Sequence, residues 1–375
     1  MRVALYGLPC AGKSYILDRI DFLEVVRGSE MLRKLNPDFQ NLKDEEKEDL
    51  RKELTRILKK RDNFIVDGHY SFGDKIAFTK EDGELYDTFL YLYISPEIIR
   101  RRMELSDKNK KYLRYDSESW QKKEIEALRK YCHQQDKDFF ALDNPPDNFF
   151  ENILPLVEFI KAIKNGFSPK NFARKCAKEI LEIAKSDTIT LMDGDKTLTK
   201  VDSSHEIFSY NTKIYDGNFY TGFQSCRQEK EFCDMGFGRG EEGPALEETD
   251  IGGTGLEGEA LKTAVLSLPL NKQVTSHITL DTFILTSGHG LVWEALANKL
   301  GVKAYYGFEM CAETKFFITK FLQEAGKKVI AYGDSLNDYY MLKQADDAFL
   351  IAKEDGKLSR SLADKDLGGI NIVRA

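Results

Sequence analysis

The chain has 375 residues, 42% of them hydrophobic and 31% charged, which suits two domains better than one and excludes a disordered or fibrous protein. No apolar run approaches the roughly 20 residues of a membrane-spanning helix, and the opening MRVALYGLPCAGKS reads as a strand entering a loop, not as a secretion signal. Net charge is −7: residues 1–164 hold 30 Lys and Arg against 31 Asp and Glu, so the acidic surplus lies in the remainder and neither half has the overall basic excess of a general nucleic-acid binder. Six cysteines without a CxxC spacing read as reduced thiols of a cytoplasmic protein.

In chain order, residues 2–6 form the first expected strand, followed by Gly7-Leu8-Pro9-Cys10-Ala11-Gly12-Lys13-Ser14. Residues 43–61 have helical periodicity, 63–67 read as a strand, and 85–94 as a third strand. Ser95-Pro96-Glu97 opens a helix, with Ser as cap, Pro in the first turn and Glu against the dipole. A helix with a solvated charged face over 117–135, a strand over 139–142 and a closing helix over 147–163 complete a βα series that implies a parallel sheet. The break Lys164-Asn165-Gly166-Phe167-Ser168-Pro169 marks a boundary between a domain of residues 1–164 and one of residues 165–375. In the second, strands are expected at 188–192, 282–286, 303–306 and 329–332, and the glycine-rich, acidic stretch 236–258 reads as a mobile loop. The expected fold class is therefore α/β, with two parallel-sheet, three-layer domains.

The segment 7–14 fits GxxxxGK[ST] between a strand and a helix. Gly7 and Gly12 let backbone N–H groups curl around a phosphate, Lys13 reaches the β- and γ-phosphates, and the Ser14 hydroxyl ligates Mg²⁺. Asp67, ending the apolar strand Phe64-Ile65-Val66, would face the same ion, and His69 lies within reach of a substrate. On these residues the first half resembles the adenylate-kinase-like P-loop nucleoside and nucleotide kinases. The resemblance implies ATP, or another NTP, as phosphoryl donor. It also implies acceptor-phosphate binding by Arg33, within Gly28-Ser29-Glu30-Met31-Leu32-Arg33, and a phosphate clamp of lid arginines, here Arg102 and Arg114. The acceptor motif DGxPR of that group stands here as Asp67-Gly68-His69-Tyr70-Ser71, without Pro or Arg, which argues against a nucleoside monophosphate acceptor.

In the second half Asp193-Gly194-Asp195-Lys196-Thr197 follows an apolar strand, placing two carboxylates where one can attack phosphorus and the other serve as acid and base at the leaving oxygen. Ser287 and Gly288 end the strand 282–286, with a hydroxyl and a backbone N–H for a phosphoryl oxygen. Lys315 precedes a helix and can neutralise the attacking carboxylate, and Gly333-Asp334-Ser335-Leu336-Asn337-Asp338 is a carboxylate-rich loop suited to Mg²⁺. This ordered set resembles the haloacid-dehalogenase-like (HAD) phosphatases, closest to the phosphoserine-phosphatase subgroup, and implies a Rossmannoid domain with a helical cap inserted over about 202–280. By that resemblance Asp193 is the nucleophile of an aspartyl-phosphate and Asp195 the acid/base, while Ser287 and Lys315 bind phosphate. Asp193, the Asp195 carbonyl, Asp334 and Asp338 form the metal set, and Thr197, Gly288, Asn337 and the cap-base Asp202 surround the substrate. Arg227 and Arg239 of the cap would complement a substrate anion.

The leading expectation is a bifunctional, cytoplasmic enzyme: an ATP-dependent kinase joined to a Mg²⁺-dependent phosphomonoesterase, acting on small metabolites, nucleosides or nucleotides. Polynucleotide kinase-phosphatases share the domain order, which makes nucleic-acid end repair the alternative, disfavoured by the acidic second half. A P-loop domain that senses nucleotide and gates the phosphatase is the third reading.

Overall fold

The computed structural model describes residues 1–143, 153–208, 258–307 and 309–374. The chain divides into two compact units, one of Met1–Ser168 and one that begins at Pro169.

The first unit carries five parallel strands: β1 (Arg2–Tyr6), β2 (Glu24–Arg27), β3 (Phe64–Asp67), β6 (Thr88–Tyr93) and β7 (Asp138–Asp143), in the order β2-β3-β1-β6-β7. A two-stranded antiparallel hairpin, β4 (Ser71–Phe72) and β5 (Lys75–Ile76), stands apart from it. Its helices are α1 (Lys13–Leu17), α2 (Gly28–Leu35), α3 (Asp44–Leu58), α4 (Lys80–Leu85), α5 (Pro96–Glu104), α6 (Ser117–Gln134) and α7 (Ile153–Lys164). Strands buried on both faces explain the nearly continuous apolar runs of β1 and β6. Phe64, Phe89, Tyr91 and Phe139 fill one face of the sheet together with Leu58 and Leu128 from the helices.

The second unit is a six-stranded parallel sheet ordered β10-β9-β8-β11-β12-β13. Its strands are β8 (Thr188–Met192), β9 (Thr282–Thr286), β10 (Lys303–Tyr306), β11 (Lys328–Gly333), β12 (Asp347–Ala352) and β13 (Asn371–Arg374). The described helices are α8 (Pro169–Ile183), α9 (Ser203–Phe208), α10 (Gly258–Leu266), α11 (Lys272–Thr275), α12 (Gly290–Leu300), α13 (Ala312–Glu324) and α14 (Leu336–Gln344). Ile180, Phe317, Ile318 and Leu342 pack one face, and Met192, Ile284, Trp293 and Leu296 the other. Strand order reverses between β8 and β11, where an open α/β sheet leaves a crevice at its carboxyl edge. Both units are thus parallel-sheet α/β folds, the class read from the sequence.

Several expected elements are corrected. The strand expected over 85–94 is shorter, Thr88–Tyr93, because Thr79 and Asp82 form a capping box that draws Leu85 into α4. Asp87 then accepts the Arg2 N–H instead of joining the sheet. The helix expected over 43–61 stops at Leu58, and Asn63 takes a left-handed φ of 58° to turn the chain into β3. The face of α6 expected to be solvated buries Gln121 and Glu124. Of the closing helix expected over 147–163, residues 147–152 lie outside the described residues, as do most of the cap, nearly all of the glycine-rich stretch 236–258, Arg227 and Arg239.

Candidate active sites

In the first unit the loop after β1 turns back through two glycines. Gly12 has φ of 96°, a left-handed conformation that a Cβ opposes. A Cβ on Gly7 would lie 2.9 Å from the Leu92 carbonyl oxygen. The helix that follows, α1, is only five residues long. Lys13 is buried, and its Nζ donates to Gly7 O at 2.6 Å and Leu8 O at 3.1 Å. Burial pulls its pKa down to about 8, against the opposing pull of the Asp67 and Glu124 carboxylates.

Asp67 ends β3 directly beside β1, in register with Leu5 and Arg27, and its Oδ1 accepts the Gly28 N–H at 2.7 Å. One carboxylate oxygen is thereby committed to the start of α2. His69 packs on Phe72 with ring centroids 4.7 Å apart, and its Nδ1 is a buried atom with no partner. Burial and the charge of Lys13 hold its pKa well below the usual imidazole value, so the ring is neutral. Arg102 Nη1 reaches Cys10 O at 3.2 Å and Ala11 O at 3.4 Å, so this one of three consecutive arginines faces the loop. Arg100 instead pairs with Glu104 along its own helix.

Lys13, Asp67, His69 and Arg102 are therefore gathered at the loop. Ser14 sits beside them with its side chain exposed. Arg33 and Arg114 are not gathered. Arg33 folds back on the Ser29 carbonyl of α2, and Arg114 stacks on Tyr115 and donates to its hydroxyl at 2.7 Å.

The sequence reading missed Glu124. From α6 it accepts bonds from Ser71 Oγ at 2.6 Å, Tyr91 OH at 2.7 Å and Trp120 Nε1 at 3.0 Å. Burial still raises its pKa. Nothing in a charged helix pattern singles out the one carboxylate that turns inward.

In the second unit the site lies at the carboxyl ends of β8, β9 and β11. Asp193 follows β8, and its backbone N–H donates to Tyr332 O at 2.9 Å, fixing the first residue of the loop against β11. Lys196 then takes a left-handed φ of 59°. Lys315 lies within the first turn of α13, not before it, and is wholly buried. Its Nζ bridges Asp193 Oδ1 at 2.6 Å and Asp338 Oδ1 at 2.7 Å. Lys320, the other lysine on that helix, lies 3.8 Å from Glu324 instead. Asp338 Oδ2 accepts the Asp334 N–H at 3.1 Å, the Ser335 N–H at 3.2 Å and Ser335 Oγ at 3.2 Å, so both its oxygens are engaged.

Asp193, Asp334 and Asp338 bring carboxylate oxygens within 4.8 Å of one another. Burial and mutual repulsion raise Asp193 well above the usual carboxylate pKa and push Asp334 up to about 7, whereas the flanking carboxylates hold Lys315 protonated. Three carboxylates share one ammonium, and the raised pKa values of Asp193 and Asp334 mark a shortage of positive charge in an oxygen-rich site, a donor set that fits a hard divalent cation.

Asp195 Oδ1 accepts the Ser203 N–H at 2.6 Å, and burial raises its pKa. Lys196 pairs with Asp202 at 2.7 Å. Thr197 Oγ1, Ser203 Oγ and Asn337 Oδ1 are buried without a partner. Ser287 follows β9, while the Gly288 N–H expected to hold a phosphoryl oxygen donates to Thr286 Oγ1 at 3.0 Å.

A family model described as an AAA domain matches residues 3–128. No curated protein matches the chain. Among solved structures, shikimate kinase from Bacteroides thetaiotaomicron is similar at 13% identity over 44% of this chain and 98% of its own, with a TM-score of 0.33. Shikimate kinase from Aquifex aeolicus is similar at 18% identity over 44% of this chain and 99% of its own, with a TM-score of 0.29. A HAD family hydrolase from Salmonella enterica serovar Typhi is similar at 14% identity over 54% of this chain and 76% of its own, with a TM-score of 0.31. At such identities and TM-scores these likenesses carry no argument, and the family match concerns residues 3–128 alone.

Proposed function

We propose that the chain joins an ATP-dependent kinase, in residues 1–164, to a Mg²⁺-dependent phosphomonoesterase, in residues 165–375, both acting on small metabolites, nucleosides or nucleotides in the cytoplasm. The observation that carries the reading is the buried Lys315 bridge between Asp193 and Asp338 at the carboxyl edge of the sheet. A lysine costly to bury is held where an attacking carboxylate and a phosphate would otherwise repel.

In the phosphatase, Mg²⁺ held by Asp193, Asp334 and the Asp195 carbonyl would neutralise charge on the phosphoryl group. Lys315 fixes Asp193 through Oδ1, which leaves Oδ2 as nucleophile. A bond forms between Asp193 Oδ2 and phosphorus, the ester P–O bond breaks, and Asp195 passes its proton to the departing oxygen. Asp195 then takes a proton from the water that hydrolyses the aspartyl-phosphate. Asp338, with both oxygens engaged, orients Lys315 and the 334–335 loop. Ser287, Thr197, Asn337 and Asp202 line the substrate side.

In the kinase, Lys13 would exchange the Gly7 and Leu8 carbonyls for β- and γ-phosphate oxygens, and Arg102 would exchange Cys10 and Ala11 for the transferring group. Ser14 and Asp67 would share a magnesium ion, with neutral His69 beside the acceptor. Arg33 and Arg114, both turned to their own neighbours, favour a second reading in which this domain binds nucleotide and gates the phosphatase. Incubating the protein with γ-labelled ATP, Mg²⁺ and a pooled set of nucleosides and sugars tests transfer. A parallel screen of phosphate esters tests hydrolysis. Labelled acceptor and released phosphate are expected, and ATP binding with no transfer would select the gating reading.

A further inference from the structure

Trp293 is wholly buried, yet its indole Nε1 has no hydrogen-bond partner among the described residues. An indole nitrogen only donates, and a buried donor without an acceptor is unfavourable unless something completes it. The ring stands in the first turn of α12, and its inner side packs in the cluster of Met192, Leu198, Ile284 and Leu296.

Its other contacts are with the two loops of the phosphatase site. A Cβ on Gly194, between the two aspartates, would come within 2.4 Å of Trp293 Cζ2. A Cβ on Gly288, after the phosphate-binding serine, would come within 2.3 Å of Trp293 Nε1 and 2.8 Å of Asp195 Oδ2. Nε1 and Asp195 Oδ2 therefore crowd the same bare side of Gly288. Asp195 Oδ1 is already held by the Ser203 N–H at 2.6 Å, and the Gly288 N–H is already given to Thr286 Oγ1 at 3.0 Å. Trp293 Nε1–H and the Ser203 hydroxyl, both buried without a partner, are the donors left at this corner.

We propose that Trp293 is a positioning residue for Asp195: its Nε1–H, unpaired in this structure, closes on one lone pair of Oδ2 when substrate fills the site and aims the other toward the leaving oxygen. Ser203 N and Trp293 Nε1 then hold the carboxyl from both ends, against rotation about its Cβ–Cγ bond. Gly194 and Gly288 are the residues that give the indole room. The inference rests on the phosphatase reading, in which Asp195 donates its proton as the P–O bond breaks.

The test is kcat/KM, which reports phosphoryl transfer to Asp193, across esters with progressively poorer leaving groups: p-nitrophenyl, phenyl and alkyl phosphates. Trp293→Phe keeps a ring on the glycines and removes the donor; 3-benzothienylalanine at the same position keeps the full bicyclic shape. Misaiming the proton donor matters most where the leaving group needs the proton, so for both replacements the alkyl ester is expected to lose about tenfold more than the p-nitrophenyl ester. An equal loss on every ester, no loss, or a rise confined to KM overturns the proposal, the last marking a substrate contact instead. Absence of hydrolysis by the unsubstituted protein, or hydrolysis that survives Asp193→Asn, overturns the phosphatase reading and this inference with it.

Discussion

Two carboxylates, Asp193 and Glu124, are both buried and both raised in pKa, but their surroundings differ. Asp193 is bound to a lysine, whereas Glu124 is surrounded by neutral donors. Replacing Asp193 by Asn removes the proposed nucleophile, because an amide does not form an aspartyl-phosphate. Phosphatase kcat is expected to fall by about three orders of magnitude or more, with ATP binding by the P-loop unit unchanged in a calorimetric titration. For Glu124 the sign of the pH effect follows from burial. A carboxyl whose folded pKa is raised binds its proton more tightly when folded, so it favours folding most at low pH. That contribution is lost as pH rises from the unfolded pKa through the folded one. Glu124→Gln is therefore expected to flatten the fall in melting temperature between pH 5 and pH 8, read by thermal unfolding; an unchanged slope would refute the assignment. The chain pattern made Asp193 legible, since a strand followed by DxDxT has few other uses. Glu124 and Trp293 were not legible, because their importance lies in which atoms tertiary packing leaves beside them.

Among elements, those set by long apolar runs were readable and those set by a few contacts were not. The β1, β8, β9 and β10 spans match the expected strands, because a short run with three or four apolar residues ending at a glycine or a polar loop leaves little choice of length. Strands β2, β12 and β13 escaped the reading, as did the β4–β5 hairpin, whose two-residue strands have no periodicity to detect. That hairpin nonetheless meets the segment holding the expected lid arginine. Gly73 at its tip has φ of 67°, and a Cβ there would lie 2.3 Å from the Tyr115 ring. Tyr115 OH donates to Asp74 at 3.0 Å, and Phe72 stacks on Tyr112. Gly73→Ala adds both backbone strain and a steric clash, and is expected to part the hairpin from residues 112–115. The measurable outcome is a rise of several-fold in the kinase KM for ATP or acceptor, with stability lowered by about 1 to 2 kcal/mol and phosphatase kcat/KM unaltered. Unchanged kinase constants would show that the hairpin contact has no part in substrate binding.

At the scale of the whole molecule, the two opposed activities proposed for one chain pose a thermodynamic question. If the kinase product were the phosphatase substrate at the same position, their sum would be ATP hydrolysis, with no phosphorylated acceptor left. The two proposed sites are built from separate sheets, one at the loop after β1 and one at Asp193 after β8, and each holds its own buried lysine. Lys13→Ala is accordingly expected to abolish ATP-dependent transfer while leaving phosphatase turnover intact, since the lost ammonium is a transition-state contact of only one reaction. The decisive comparison is between the unsubstituted chain and Asp193→Asn under kinase conditions. Different substrates or positions predict that phosphorylated acceptor accumulates at the same rate in both proteins, followed by chromatography over many turnovers of ATP. Accumulation in Asp193→Asn alone, with ADP and phosphate as the only products of the unsubstituted chain, would show instead that the second unit undoes the first. The acceptor would then be the phosphatase substrate as well, and control of one site by the other would be required to prevent the futile cycle.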